Sequence, residues 1–104
     1  MAELEITKML TISTIHVKEE TCKWLYEVFE EQQPYDPVPP FYPKGEYGFF
    51  VYCDSESVDN AITDENCPED LTMCMVFAFV NGCELLCLDC DGPIIEGLRK
   101  YKWS

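Results

Sequence analysis

Positive charge is scarce in this chain. Seven lysines and arginines stand against twenty aspartates and glutamates, with one histidine, so 104 residues carry a formal net charge of −13. Residues 53–98 hold eleven acids and no base; residues 1–52 hold nine acids and four lysines, a net −5. Arg99, Lys100 and Lys102 then return +3 at the end. A surface of this sign is repelled by DNA, RNA and anionic membranes, which excludes a direct nucleic-acid binder and points to cationic partners. Long apolar runs are missing as well. The longest, Met73 to Val80, is too short to cross a bilayer. The opening Met-Ala-Glu-Leu-Glu has neither the basic nor the apolar region of a secretory signal, so a cytoplasmic protein without membrane insertion is expected. Glycine is sparse: five residues, none spaced as G-x-G-x-x-G or G-x-x-x-x-G-K, which excludes the familiar nucleotide-binding loops.

What the chain does have is apolar bulk. Hydrophobic residues make up 47 % and aromatics 13 %, far above the composition of a disordered acidic tail. At this length about 65 % of the unfolded chain's surface is buried on folding, so residues 1–104 are expected to form a single acidic α/β domain. Seven cysteines first look like a disulfide scaffold. Their number is odd, their spacing is uneven (22, 53, 67, 74, 83, 87, 90) and three lie inside apolar runs, so they are read as reduced, mostly buried thiols.

The pattern predicts a strand over Met9 to Val17, rich in Thr and Ile. A helix from Lys18 to about Gln32 follows, with Cys22, Leu25, Tyr26 and Phe29 as its apolar stripe. Gln33 to Pro43 holds five of the seven prolines and reads as an extended connector. Tyr47 to Cys53 is a near-continuous apolar strand of the kind covered on both faces. Asp54 to Asn66 reads as an acidic loop. Proline at 68 and acids behind it open a second helix that runs through Leu71 to Val80 and stops at Asn81-Gly82. Glu84 to Asp89 is a third strand, and Leu98 to Trp103 a candidate short terminal one. The order β-α-β-α-β implies a small two- or three-layer α/β fold with a mostly parallel sheet.

Two constellations carry chemistry. In a parallel sheet the ligand crevice lies beyond the carboxyl ends of the strands. There His16, Asp54, Asp89 and Asp91 would offer one imidazole and three carboxylates, a site for a small ligand or cation. The plainer alternative is that these acids cap helix ends and turns while His16 is structural. The second constellation is Asp54, Glu56, Asp59, Asp64, Glu65, Glu69 and Asp70, seven carboxylates within seventeen residues and no cation among them. A solvated loop explains such a run, and so does a partner-binding surface that imitates the negative charge of a nucleic-acid backbone and occupies a basic groove. On that reading, neutralising Asp59, Asp64, Glu65 and Asp70 together abolishes binding and leaves the fold intact.

Other chemistry finds little support. Leu85 to Pro93 ends in Asp-x-Asp-Gly, like the nucleophile loop of haloacid-dehalogenase-type phosphotransferases, but too little chain follows for that family's remaining motifs. Cys83, Cys87 and Cys90 lack the paired Cys-x-x-Cys knuckles of a zinc ribbon. A cysteine nucleophile would have only His16 as its base, in acidic surroundings that raise a thiol pKa. No catalytic residue, metal or cofactor is therefore assigned. The second helix is apolar all round apart from Thr72, so Met73, Val76, Phe77 and Val80 could face a second copy, making a homodimer.

The segments YPKGEYGFFVY (42–52), Pro68 to Leu71, CLDCDGPIIEGL (87–98) and the opening TISTIHVKEET together resemble an uncharacterised family of small acidic proteins encoded on plasmids and integrative conjugative elements of gut bacteria. The resemblance brings no activity and no site residues. It implies a context in which small acidic inhibitors of restriction or CRISPR nucleases are common. The functional expectation is thus a non-enzymatic acidic protein that binds a basic nuclease or DNA-binding protein, an anti-defence inhibitor acting as a DNA mimic.

Overall fold

In a computed structural model, residues 6–31, 41–45 and 48–103 are described. The elements are β1 (Met9–Ser13), a 3-10 turn (Thr14–His16), α1 (Glu19–Glu31), β2 (Phe41–Pro43), β3 (Gly48–Tyr52), α2 (Ser55–Thr63), α3 (Glu69–Val80) and β4 (Leu85–Asp89). The four strands form one sheet in the order β1-β4-β3-β2. Only β1 and β4 run parallel; β3 is antiparallel to both of its neighbours. The sheet is mixed and mostly antiparallel, not mostly parallel as the sequence pattern implies.

The reason lies in residues 54–66. This acidic stretch is not a loop: it contains α2, whose Val58 and Ala61 are buried against the core. Asp54 precedes the helix in extended backbone, its carboxylate accepting a hydrogen bond from Ser57 Oγ at 2.6 Å. One helix between two strands carries the chain back to its starting end and makes the strands parallel. Two helices, α2 and α3, bring it to the end where β3 finished, so β4 runs antiparallel to β3.

The connector is the second departure. Its last residues, Phe41 to Pro43, form β2 and pair with Val51 to Phe49 of β3 as a hairpin; residues 33–40 and Tyr47 lie outside the described residues. Gly45 turns the hairpin with φ of +56°, and Lys44 N–H donates to Gly48 C=O at 2.8 Å. Gly48 lies so close to β4 that a Cβ would stand 1.7 Å from the Leu88 carbonyl oxygen, so no larger residue fits there. Leu98 to Trp103 forms no strand; it lies along the 3-10 turn, with Tyr101 N–H donating to Ile15 C=O at 2.9 Å. The first strand is likewise shorter than expected, because it ends at Ser13.

Alternation along the strands divides the sheet into two unlike faces. Ile12, Leu86, Leu88, Val51, Phe49 and Phe41 point into a core with Cys22 and Leu25 of α1, Val58 and Ala61 of α2, and Leu71, Cys74, Met75 and Ala78 of α3. Tyr26 packs on Phe49 with ring centres 4.5 Å apart; Phe29, the fourth residue of the predicted stripe, has its side chain outside the described residues. The helices thus cover one face, giving two layers. The other face carries Tyr42, Phe50 and Tyr52 as an aromatic row, with Tyr42 and Tyr52 more than 40 % exposed. The β3 strand is therefore not covered on both sides. On α3, Met73 and Val80 are exposed while Val76 and Phe77 pack partly against the core. The helix stops as its sequence signals, with Gly82 at φ +80° donating to Phe79 C=O at 2.9 Å. Among the described residues no helix is long and apolar enough to cross a membrane.

Candidate functional site

A cleft opens at the β1–α1 junction. Ser13 ends the strand: its N–H donates to Pro93 C=O at 2.8 Å, and its Oγ accepts from Ile15 N–H at 3.2 Å, which starts the 3-10 turn. The turn drives His16 inward until it is 1 % exposed. Ile95 N–H donates to Nε2 at 2.9 Å, so that nitrogen is the acceptor and the proton resides on Nδ1, which donates to Arg99 C=O at 2.8 Å. The imidazole therefore clasps the C-terminal segment at two backbone points. Both ring nitrogens are engaged, and neither offers a lone pair to a metal.

Asp70, in the first turn of α3, is buried and reaches across to α1. Its Oδ2 accepts from Lys18 N–H and from Thr21 Oγ1, each at 2.7 Å. Lys18 precedes α1 and has no side-chain oxygen with which to cap the helix, so an acid from a distant helix anchors its entry. Around this junction lies a cleft of about 650 Å³, whose lining includes His16, Asp70 and Thr21, the apolar Trp24, Met73 and Leu98, and the charged Lys18, Glu20, Glu69 and Arg99. Tyr101 forms part of the same wall, with Arg99 and Lys18 stationed 5.6 and 5.8 Å from its ring centre.

The seven acids of residues 54–70 separate into two groups. Asp54 is bound by Ser57, Asp64 closes α2 and accepts from Asn66 N–H at 2.7 Å, and Asp70 holds α1. Asp54 and Asp64 thus shape the two ends of α2, and Asp70 ties α3 to α1. Glu56, Asp59, Glu65 and Glu69 are exposed, and among the described residues no ion pair engages them, the one ion pair being Lys44–Asp89. Glu56 and Asp59, three residues apart on α2, share one side of that helix; Glu65 and Glu69 continue the acidic edge through the turn onto α3.

The set His16, Asp54, Asp89 and Asp91 does not converge. Because β3 is antiparallel to β4, Asp54 lies beyond Tyr52, which pairs with Leu85 at the start of β4. Asp89 ends that strand four residues on, about 13 Å away along the sheet. Asp89 and Asp91 do come together, and with Cys90 form the group of possible metal ligands found among the described residues. Asp89 is already committed: Oδ2 pairs with Lys44 Nζ and Oδ1 accepts from Asp91 N–H. The Lys44 ammonium holds the Asp89 carboxyl below its ordinary range, and Asp89 in turn raises Lys44.

Five of the seven thiols are quiet. All seven are free. Burial pushes Cys22, Cys53 and Cys74 up to about 12, and Cys67 and Cys87 upward as well. That removes them from nucleophilic work near neutral pH.

A model for the C-terminal domain of a family of unknown function, DUF5983, matches residues 9–103. The chain belongs to this family. No curated protein and no solved structure matches it. Membership agrees with the resemblance at the level of an uncharacterised family. The sequence reading missed the cleft itself. Lys18 and Arg99 lie 81 positions apart, and only the return of the C-terminal segment to the 3-10 turn joins them; the lone basic cluster at 99–102 was the available signal.

Proposed function

We propose that this DUF5983 domain is a non-enzymatic acidic module that docks its α2–α3 edge on a basic protein surface. The observation that carries the reading is that Glu56, Asp59, Glu65 and Glu69 are exposed and, among the described residues, without a cationic partner, in a chain of net charge −13. Their mutual repulsion disfavours the folded state, and a cationic partner relieves it. A helical hairpin also gives the charges a fixed spacing, which a mimic of a phosphate backbone requires. The finer form of the proposal is that the target is a nuclease or DNA-binding protein whose basic groove the hairpin occupies. If the domain is carried on a plasmid or conjugative element, the target is a host defence enzyme.

The test is salt-graded capture of host proteins on the immobilised domain, followed by competition with duplex DNA. Retention of a DNA-binding protein that is released both by salt and by DNA is the expected result. The variant Glu56→Gln, Asp59→Asn, Glu65→Gln, Glu69→Gln should lose that protein while keeping its thermal transition. Undiminished retention by this variant overturns the reading. Asp70 must stay in any such experiment: it holds the entry of α1, so neutralising it tests folding and not docking.

A further inference from the structure

We infer that the cleft between α1, α3 and the C-terminal segment binds a small organic anion with a flat apolar body, of the class of aromatic carboxylates. At about 650 Å³ it falls in the size range of small-molecule sites. Its floor is preorganised, because His16 and Asp70 both have their hydrogen bonds made within the protein. The floor therefore offers shape rather than unpaired polar atoms, and discrimination falls to the walls and the rim. Trp24, Met73 and Tyr101 supply flat or pliable apolar surface; Met73 is 58 % exposed.

The rim supplies the charge preference. Among the described residues Lys18 and Arg99 form no ion pair, although Glu69 lines the same cleft. Both instead lie over the Tyr101 ring, 5.8 and 5.6 Å from its centre. A cation over a ring face keeps its N–H donors available, so Lys18 and Arg99 place two cationic donors beside Tyr101 on the cleft lining. Glu20 and Glu69 on the same rim set the upper limit of charge. A polyphosphate or a nucleic acid is repelled there, whereas one negative charge is accommodated. The inference does not depend on the acidic edge of α2 and α3 having a partner.

The experiment is a two-dimensional amide NMR titration of the whole domain with 2-naphthoate and, separately, with the uncharged 2-naphthamide. Saturable shifts at the Trp24 indole N–H and the Arg99 and Tyr101 amides with naphthoate, and none with naphthamide, are expected. The double variant Lys18→Gln, Arg99→Gln should weaken naphthoate binding about tenfold or more. These side chains are exposed, and the backbone bonds of both residues remain, so the fold is retained. The variant Glu56→Gln, Asp59→Asn should bind as the parent does. No saturable shift at millimolar naphthoate, equal shifts with the amide, or undiminished binding by the double variant overturns the inference.

Discussion

The acidic hairpin and the β1–α1 junction use the same kinds of side chain in opposite ways. At the junction, the buried side chains of His16 and Asp70 make their hydrogen bonds with chain elements far away in sequence: Ile95 and Arg99 for one, Lys18 and Thr21 for the other. Along the hairpin, Glu56, Asp59, Glu65 and Glu69 project into water. Glu69 and Asp70 are adjacent in sequence yet fall on the two sides of this division, because consecutive residues of a helix point about 100° apart. A run of acids is thus two populations, one that builds the fold and one left over for a partner. Charge counting cannot separate them; helix phase and burial can.

Breaking the junction should have the largest effect. His16→Ala removes a packed ring and leaves the Ile95 N–H and the Arg99 C=O without partners, for a loss of about 3–5 kcal/mol. Thermal unfolding would show it as a much lower transition or none; a change within experimental error would mean the clasp is ornamental. Asp70→Ala, which strands Lys18 N–H and the Thr21 hydroxyl, should cost about 2–3 kcal/mol in urea denaturation.

The buried thiols give a milder, pH-dependent difference. Their ordinary value is 9.0, and Cys22, Cys53 and Cys74 are raised to about 12 in the fold. Between those values the unfolded chain has released protons that the native state keeps, so stability is full below pH 9 and declines from there towards pH 12. Denaturation midpoints across pH 7–11 should fall only above about 9. At pH 8 a disulfide reagent should titrate the exposed Cys90 quickly, the half-buried Cys83 more slowly, and the other five only on unfolding. The smallest effect on stability belongs to the hairpin: neutralising Glu56, Asp59, Glu65 and Glu69 should move it by a few tenths of a kcal/mol per site at most. The direction is stabilising, since repulsion is relieved. A large loss would show that these acids, too, are structural.

Much of the fold is legible in the residues. The proline and acids that open α3, the Asn81-Gly82 stop, the apolar stripe of α1 and the strand Leu85 to Asp89 are local signals, and local physics decides them. The helix α2 was hidden because its apolar positions, Val58, Ala61 and Ile62, are few among acids, and Ile62 remains 59 % exposed. The hairpin of β2 and β3 was hidden because prolines precede it; at the edge of a sheet Pro43 can complete a three-residue strand without a missing donor mattering. The missed hairpin reversed β3 relative to β1 and the missed α2 set β4 antiparallel to β3, and together they undo the convergence of Asp54 with Asp89 and Asp91. Strand-end reasoning is only as sound as the strand directions beneath it.

By itself the sequence determined the acidic character, the helices α1 and α3 and the apolar strands, because composition and short-range periodicity need no knowledge of what lies opposite. The tertiary structure alone decided the sheet order, the sorting of the acids into structural and free, and the cleft that unites Lys18 with Arg99. Each of those depends on contacts between residues tens of positions apart, and the energy of such contacts is set by where the chain returns.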